Sequence, residues 1–359
     1  MNYRNLFPLF VLGSLIFTSC STDDEPGQPQ SPESNFDNGI FILNEGNYGS
    51  GNSTVSFLDL DNSEVNHQIF SKKNEGELLG DTGQNMAFYK DYAFIVMNVS
   101  NAIKVVDRGS FKHIITIEEN LNNPRFITFS EGKAFVTNWG DGMDPDDDFI
   151  SVFNAETFTS LATISVSEGP ERIVAGPGKV FAAHTGGFNI NNRISVIDPV
   201  KNELNTIITV GEQPNSLVLD GDNLWVLSGG NPSYLDNESA GSLSQIDLGT
   251  LQITKQITFP NSTDHPSNLN LENEMLYYTL GTEVYTFGSA ESSLPQSPVF
   301  KMDKVEVLYG FKVIDSKFYA ASASFDFTSN GKLYVYDISG NPLNTYGVGV
   351  NPNGVYSQE

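Results

Sequence analysis

A period constrains this chain more than any other feature. A proline followed by an apolar strand recurs at Pro124, Pro170, Pro214, Pro266 and Pro352, at spacings of 46, 44, 52 and 86 residues, the last being two periods of 43. The missing member falls at Gly310, in Leu308-Tyr309-Gly310-Phe311, and an earlier one at Gln84, 40 residues before Pro124. Within each period, apolar runs of about five to eight residues rich in Val, Ile, Phe and Tyr alternate with clusters of Gly, Asn, Asp and Pro. No amphipathic helix of any length is expected after residue 38. The clearest period reads as strands A to D at 125–129, 134–138, 149–154 and 161–166. Four antiparallel strands in about 45 residues make a propeller blade, and residues 39–359 hold seven of them. The expected fold is all-β, a seven-bladed β-propeller.

The ends of the repeat are out of phase. The strand at 39–44 behaves as a strand B with no strand A before it. The chain ends in Asn351-Pro352-Asn353-Gly354-Val355-Tyr356, a strand A with no strand B after it. The C-terminus is therefore expected to complete the first blade. Such closure removes sheet edges and holds the ends together in a chain with a single Cys.

That Cys is Cys20. Before it stand Arg4, an apolar run over 6–17 and Phe17-Thr18-Ser19, a run too short to span a bilayer. Small residues before one Cys read as a lipoprotein cleavage site. Residues 1–19 are thus expected to be a signal peptide and Cys20 the lipid anchor. Residues 20–38 read as a flexible acidic and Pro-rich linker carrying Pro26, Pro29 and Pro32, and 39–359 as the propeller. Asp23-Asp24-Glu25 resembles the acidic signal that exports Bacteroidetes lipoproteins to the cell surface. The expected location is the outer membrane, held by the anchor alone and exposed outward.

Composition narrows the partners. With 19 Lys and Arg against 44 Asp and Glu, the net charge is −25, which argues against nucleic acid and anionic bilayers. Hydrophobic residues at 39% exclude general disorder. No H-E-x-x-H, Cys pair, G-x-S-x-G or P-loop is present, and His67, His113, His184 and His265 lack partners at ligand spacing. No catalytic residue and no cofactor is assigned, and an enzyme is not expected. Asp141, Asp144, Asp146 and Asp148 are weak calcium candidates; a solvated charge run is the other reading of them.

The A–B turns are short, whereas the B–C loops at 45–53, 139–148, 185–193, 229–241 and 324–331 are long. Every insertion is expected on the one face that B–C loops share with the Pro-containing D–A turns. Loops converging from rigid blades make ligand sites. The expected ligand residues there are Asn47, Tyr48, Asn101, Asn138, Trp139, His184, Phe188, Asn231, Tyr234 and Phe325. Aromatic faces among amides suit a large, neutral, amphipathic ligand.

Three segments carry a family resemblance: Phe41-Ile42-Leu43-Asn44-Glu45-Gly46-Asn47, Leu79-Gly80-Asp81-Thr82-Gly83-Gln84-Asn85-Met86 and Asn98-Val99-Ser100-Asn101. With the blades laid out, the chain resembles YncE-like propellers and, within them, the BtuG-type surface lipoproteins of Bacteroidetes. The resemblance covers about nine tenths of the chain. It implies capture of a corrinoid, cobalamin, as transported ligand and its delivery to a TonB-dependent outer-membrane transporter. Asn44 and Asn98 are read as residues of blade geometry. Two other classes stay open: a surface propeller for a siderophore, glycan or protein partner, and a propeller lyase or lactonase.

Overall fold

The computed structural model describes residues 36–358 except Asp236, so the segment read as a signal peptide, Cys20 and most of the segment read as linker lie outside the described residues. The described chain forms seven four-stranded antiparallel sheets. The second blade runs Gly83–Tyr89, Tyr92–Met97, Ala102–Asp107 and His113–Ile117, and the third Pro124–Ser130, Lys133–Asn138, Phe149–Asn154 and Ser160–Ser165. The fourth, fifth, sixth and seventh blades open with inner strands Pro170–Gly176, Pro214–Asp220, Pro266–Glu272 and Val307–Ile314.

The first blade is completed from the other end of the chain. Pro352–Tyr356 pairs antiparallel with Gly39–Asn44, placing Phe41 opposite Tyr356 and Asn44 opposite Pro352. The ring is closed as the phase of the repeat predicts.

The core follows from strand position. Each strand B lies between two neighbours in its own sheet and is stacked between adjacent blades, so it is apolar on both faces. Phe41, Ile42 and Leu43, or Phe94, Ile95 and Val96, are wholly buried. Outer strands face solvent and alternate, as in Ile253–Thr258.

The last residue of strand B is often polar, and the structure gives it a recurring task. Asn44 donates to Ser56 Oγ at 3.1 Å, Asn138 to Ser151 Oγ at 3.0 Å, and His184 Nε2 meets Ser195 Oγ at 2.8 Å. From the other side Asn44 accepts from Gly349 N at 2.9 Å and Asn138 from Asn122 N at 3.0 Å, while His184 Nδ1 lies 3.3 Å from Glu168 O. These side chains tie strand C to the preceding D–A connection and leave no buried polar atom of their own unmatched.

Three features depart from the sequence expectation. A five-residue helix, Ile69–Lys73, sits in the first D–A connection and buries Ile69 and Phe70; one turn is too short to show a helical period. Phe36, in the segment read as linker, is 3% exposed and packs edge-on against Phe57 with ring centroids 4.9 Å apart. The sixth blade carries a long loop over 289–299 between Glu283–Gly288 and Phe300–Lys301, a C–D connection on the opposite face from the B–C loops. Pro295 and Pro298 lack the N–H a ladder needs, so its outer strand shrinks to two residues.

Candidate functional site

A bulge follows the first or second residue of every inner strand. The pairing steps from Gly83 to Asn85, Pro124 to Ile127, Pro170 to Ile173, Pro214 to Ser216, Ser267 to Asn270, Leu308 to Gly310 and Pro352 to Gly354. The residues passed over leave the ladder, and a bulge re-aims the side chains it carries. In five blades these are Gln84, Arg125 and Phe126, Glu171 and Arg172, Tyr309, and Asn353. All seven line one cavity of about 830 Å³ at the mouth of the ring.

The walls are B–C loops and D–A turns. Tyr48, Trp139 and Phe188 join Phe126 and Tyr309 as its aromatic members, and Asn98, Asn101, Asn122 and Asn123 join Gln84 and Asn353 as its amides. The centre of one wall is a stack. Arg125 makes a two-pronged ion pair with Glu171, Nε to Oε2 at 2.8 Å and Nη2 to Oε1 at 3.0 Å. Its guanidinium lies 4.0 Å from the Trp139 ring centroid. Trp139 Nε1 donates to Pro170 O at 3.0 Å, and Phe188 meets the indole edge-on at 6.2 Å. The indole is thus held on three sides and shows its remaining surface to the cavity.

The loop behind Trp139 is held by its own acids. Asp147 Oδ2 accepts from Asp141 N at 2.8 Å. Gly140 has φ +59°, and a Cβ there would lie 2.1 Å from Asp147 Oδ1, so a side chain at this position would displace the carboxylate that holds the loop. Asp148 accepts from Gly169 N at 3.0 Å and is 2% exposed. Burial pushes its carboxyl up to about 7, with the charges of Asp147, Glu168 and Asp144 adding to the rise. The calcium candidates Asp141, Asp144, Asp146 and Asp148 are not gathered: among the described residues no group of three or more His, Cys, Asp or Glu is placed to hold a metal ion.

Burial also raises the Glu45 carboxyl above the usual range, opposed by the Tyr309 hydroxyl and the Arg125 charge. Burial and Glu45 push the Tyr309 phenol up in turn.

Of the ligand residues expected from sequence, Tyr48, Asn101, Trp139 and Phe188 meet at this cavity. Asn138 and His184 are fully buried and spend their polar atoms on blade geometry, so neither presents a surface. Burial holds the His184 imidazole down to about 4, with the Arg193 charge acting in the same direction. Asn47 donates to Phe327 O at 2.8 Å and braces two loops. Asn231 lines a separate depression with Glu212, and Tyr234 and Phe325 stand 81% and 73% exposed outside the cavity. Asn44 is the geometry residue it was read to be, whereas Asn98 serves both ends: it binds Asn123 Oδ1 and Pro124 O and also lines the cavity.

The inner-strand residues Arg125, Glu171, Arg172, Tyr309 and Asn353 of the cavity were not singled out from sequence. The signal for them was present: each follows within two residues of the Pro, or its Leu308 counterpart, that marks the period.

The fold is shared with solved structures of distant sequence. Hydrazine synthase of Kuenenia stuttgartiensis matches at 14% identity over 80% of this chain and 90% of that one, with TM-score 0.61. A functionally unknown protein from Desulfotomaculum acetoxidans DSM 771 matches at 11% over 89% and 98%, with TM-score 0.60. Apo AztD from Citrobacter koseri matches at 11% over 88% and 96%, with TM-score 0.53. No curated protein matches the chain in sequence. Residues 38–348 match the model of DUF5074, described as a domain of unknown function, and the chain belongs to that family.

Proposed function

We propose that this propeller captures a corrinoid of the cobalamin type at the cavity and passes it to a TonB-dependent transporter, while a lipid on Cys20 anchors it at the outer surface of the outer membrane. The observation that carries this reading is the composition of the cavity wall. Six amide side chains, from Gln84, Asn98, Asn101, Asn122, Asn123 and Asn353, share the lining of about 830 Å³ with the aromatic rings of Tyr48, Phe126, Trp139, Phe188 and Tyr309. A corrinoid is a broad ring fringed with amides. Stacked side chains take the ring, and amides exchange hydrogen bonds with the fringe without any requirement for net charge. Mass transfer to a transporter suits a site open at one face of a rigid ring.

A second reading, a propeller lyase or lactonase, is favoured by one pair. Burial raises the Glu45 carboxyl above its usual range beside the Tyr309 hydroxyl, and both residues line the same cavity. Calorimetric titration of the purified protein with cobalamin separates the two. Saturable heat at micromolar protein supports capture, and no heat there removes the corrinoid reading and leaves the enzyme reading to a turnover screen of lactone and polysaccharide substrates.

A further inference from the structure

The outer strand of the sixth blade covers little of its neighbour. Glu283–Gly288 meets Phe300–Lys301 only at Glu283 and Val284. The loop 289–299 runs where a longer strand would lie, and between it and the fifth blade opens a cavity of about 530 Å³. Its apolar and aromatic lining is Ile257 and Phe259 from the end of the fifth blade, Tyr278, Leu280 and Tyr285 on the sixth, and Leu294 in the loop. It shares no lining residue with the cavity at the mouth of the ring.

The three aromatic residues pack on one another. Tyr278 and Tyr285 stack with ring centroids 5.4 Å apart and planes 5° apart, and Phe259 stands at 89° to Tyr278, also at 5.4 Å. Rings therefore wall the cavity in two orientations. Tyr278 is 1% exposed, yet its hydroxyl has no hydrogen-bond partner among the described residues. The Tyr285 hydroxyl donates to Glu283 Oε2 at 3.0 Å, so its oxygen keeps lone pairs to offer. Asp264 also lines the cavity, and its Oδ2 accepts from Asn261 N and Nδ2, both at 3.0 Å. Its Oδ1 forms no hydrogen bond or ion pair among the described residues. No Lys, Arg or His is among the described lining. Burial raises both phenols, Tyr285 to about 12, and the Asp264 charge adds to the rise at each.

Aromatic walls, one unmatched carboxylate oxygen and no base are complementary to positive charge. An anion would meet Asp264 unopposed, and a neutral apolar molecule would strip water from that carboxylate and return nothing. We propose that the cavity between the fifth and sixth blades is a site for a small organic cation, an ammonium group carried on an apolar body. The rings attract the ammonium through their negative faces, and Asp264 Oδ1 supplies the opposite charge. Ile257, Leu280 and Leu294 take the body. The net charge of −25 favours the approach of such a ligand.

Ligand-observed NMR titration of the purified protein with benzyltrimethylammonium, benzyl alcohol and benzoate tests the site, the three probes sharing a ring and differing in charge. The cation should bind saturably and at least about fivefold tighter than the alcohol, and benzoate should not bind. Added salt should weaken the cation and leave the alcohol unchanged. Asp264→Asn should weaken the cation about threefold or more and spare the alcohol, whereas Tyr285→Leu should weaken both. Asp222→Asn removes the same charge from the exposed A–B turn of the fifth blade and should bind as wild type. Asn at 264 keeps an acceptor for the Asn261 donors, so its melting temperature should match wild type; the salt series needs no variant and decides alone if a substitution fails to fold. Absence of saturable cation binding, alcohol or benzoate bound as tightly as the cation, or insensitivity of cation binding to salt overturns the proposal. Cation binding equal in wild type, Asp264→Asn and Tyr285→Leu places the cation elsewhere and overturns it too.

Discussion

Asn351 donates its side-chain amide to the Gly46 carbonyl at 2.9 Å, joining positions 305 residues apart. The same closing seam holds the Gly349 N–H on Asn44 Oδ1 at 2.9 Å and the ladder between Pro352–Tyr356 and Gly39–Asn44. The seam carries the closure of the ring by backbone pairing and buried amides. Asn44 is wholly buried, so Asn44→Ala should cost about 2 kcal/mol by orphaning its partners. Deleting residues 351–359 should cost several kcal/mol and promote association through the bared edge. Denaturant titration with light scattering checks both. An unchanged midpoint for the truncated chain is incompatible with closure by this strand.

Binding should divide the aromatic loops. Trp139 is packed between Arg125 and Phe188 at the cavity wall, so Trp139→Ala should weaken cobalamin binding by about 1–3 kcal/mol. Tyr234→Ala and Phe325→Ala lie outside the cavity and should bind as wild type. Calorimetry on the three variants decides; equal losses at all three positions would move the site off the cavity onto the loop tips.

Asp148 predicts a pH signature. Its carboxyl is held up to about 7 in the fold against an ordinary value of 3.8. The folded state therefore binds that proton more tightly than the unfolded chain. Its stabilising contribution is complete below about 4 and is lost as pH rises to about 7, each tenfold difference in proton affinity between the two states being worth about 1.4 kcal/mol. Asp148→Asn keeps an acceptor for the Gly169 N–H but cannot ionise. Relative to wild type it should gain stability steadily between pH 4 and 7 and level off above. His184, held down to about 4, acts in the opposite sense, losing its contribution as pH falls from 6.5. It is common to both proteins and cancels in the difference. Denaturation midpoints of the pair at pH 5 and pH 8 measure the effect, and a constant difference between them defeats the assignment.

Cys20→Ala should convert the protein from a membrane-anchored to a soluble or uncleaved form. Fractionation of cells expressing the variant shows which, and membrane retention equal to wild type removes the anchor from Cys20.

The ring was legible in the sequence because its marks are local. Pro124, Pro170, Pro214 and Pro266 punctuate the period, Val- and Phe-rich runs fill the strands between, and the phase error at Pro352 gives away the closing strand. The site was legible only at its rim. Trp139 and Phe188 stand in conspicuous Gly-rich loops, whereas Arg125, Glu171, Arg172 and Tyr309 lie within strands whose alternation gives no hint of a bulge. Their meeting is radial, between residues one to several periods apart, and needs the register of three sheets. Asn138 and His184 were misplaced because a polar residue beside a loop looks the same whether it faces the loop or caps the strand. Only the Ser151 and Ser195 hydroxyls opposite them tell the two apart.

The bulges also set how such a protein changes over time. A residue passed over by the ladder contributes little to the pairing that holds its sheet, so replacing it leaves the strands in place. Gln84, Arg125, Glu171, Tyr309 and Asn353 come from five different sheets yet converge on one space. Selection for a new ligand thus has adjustable positions that do not threaten the scaffold, apart from the coupled pair Arg125 and Glu171, which must change together, and Asn353, whose amide holds the Gly83 carbonyl of the next blade at 2.7 Å. A combinatorial library confined to these positions should return mostly folded rings with altered appetites, the signature of a chassis built to diversify.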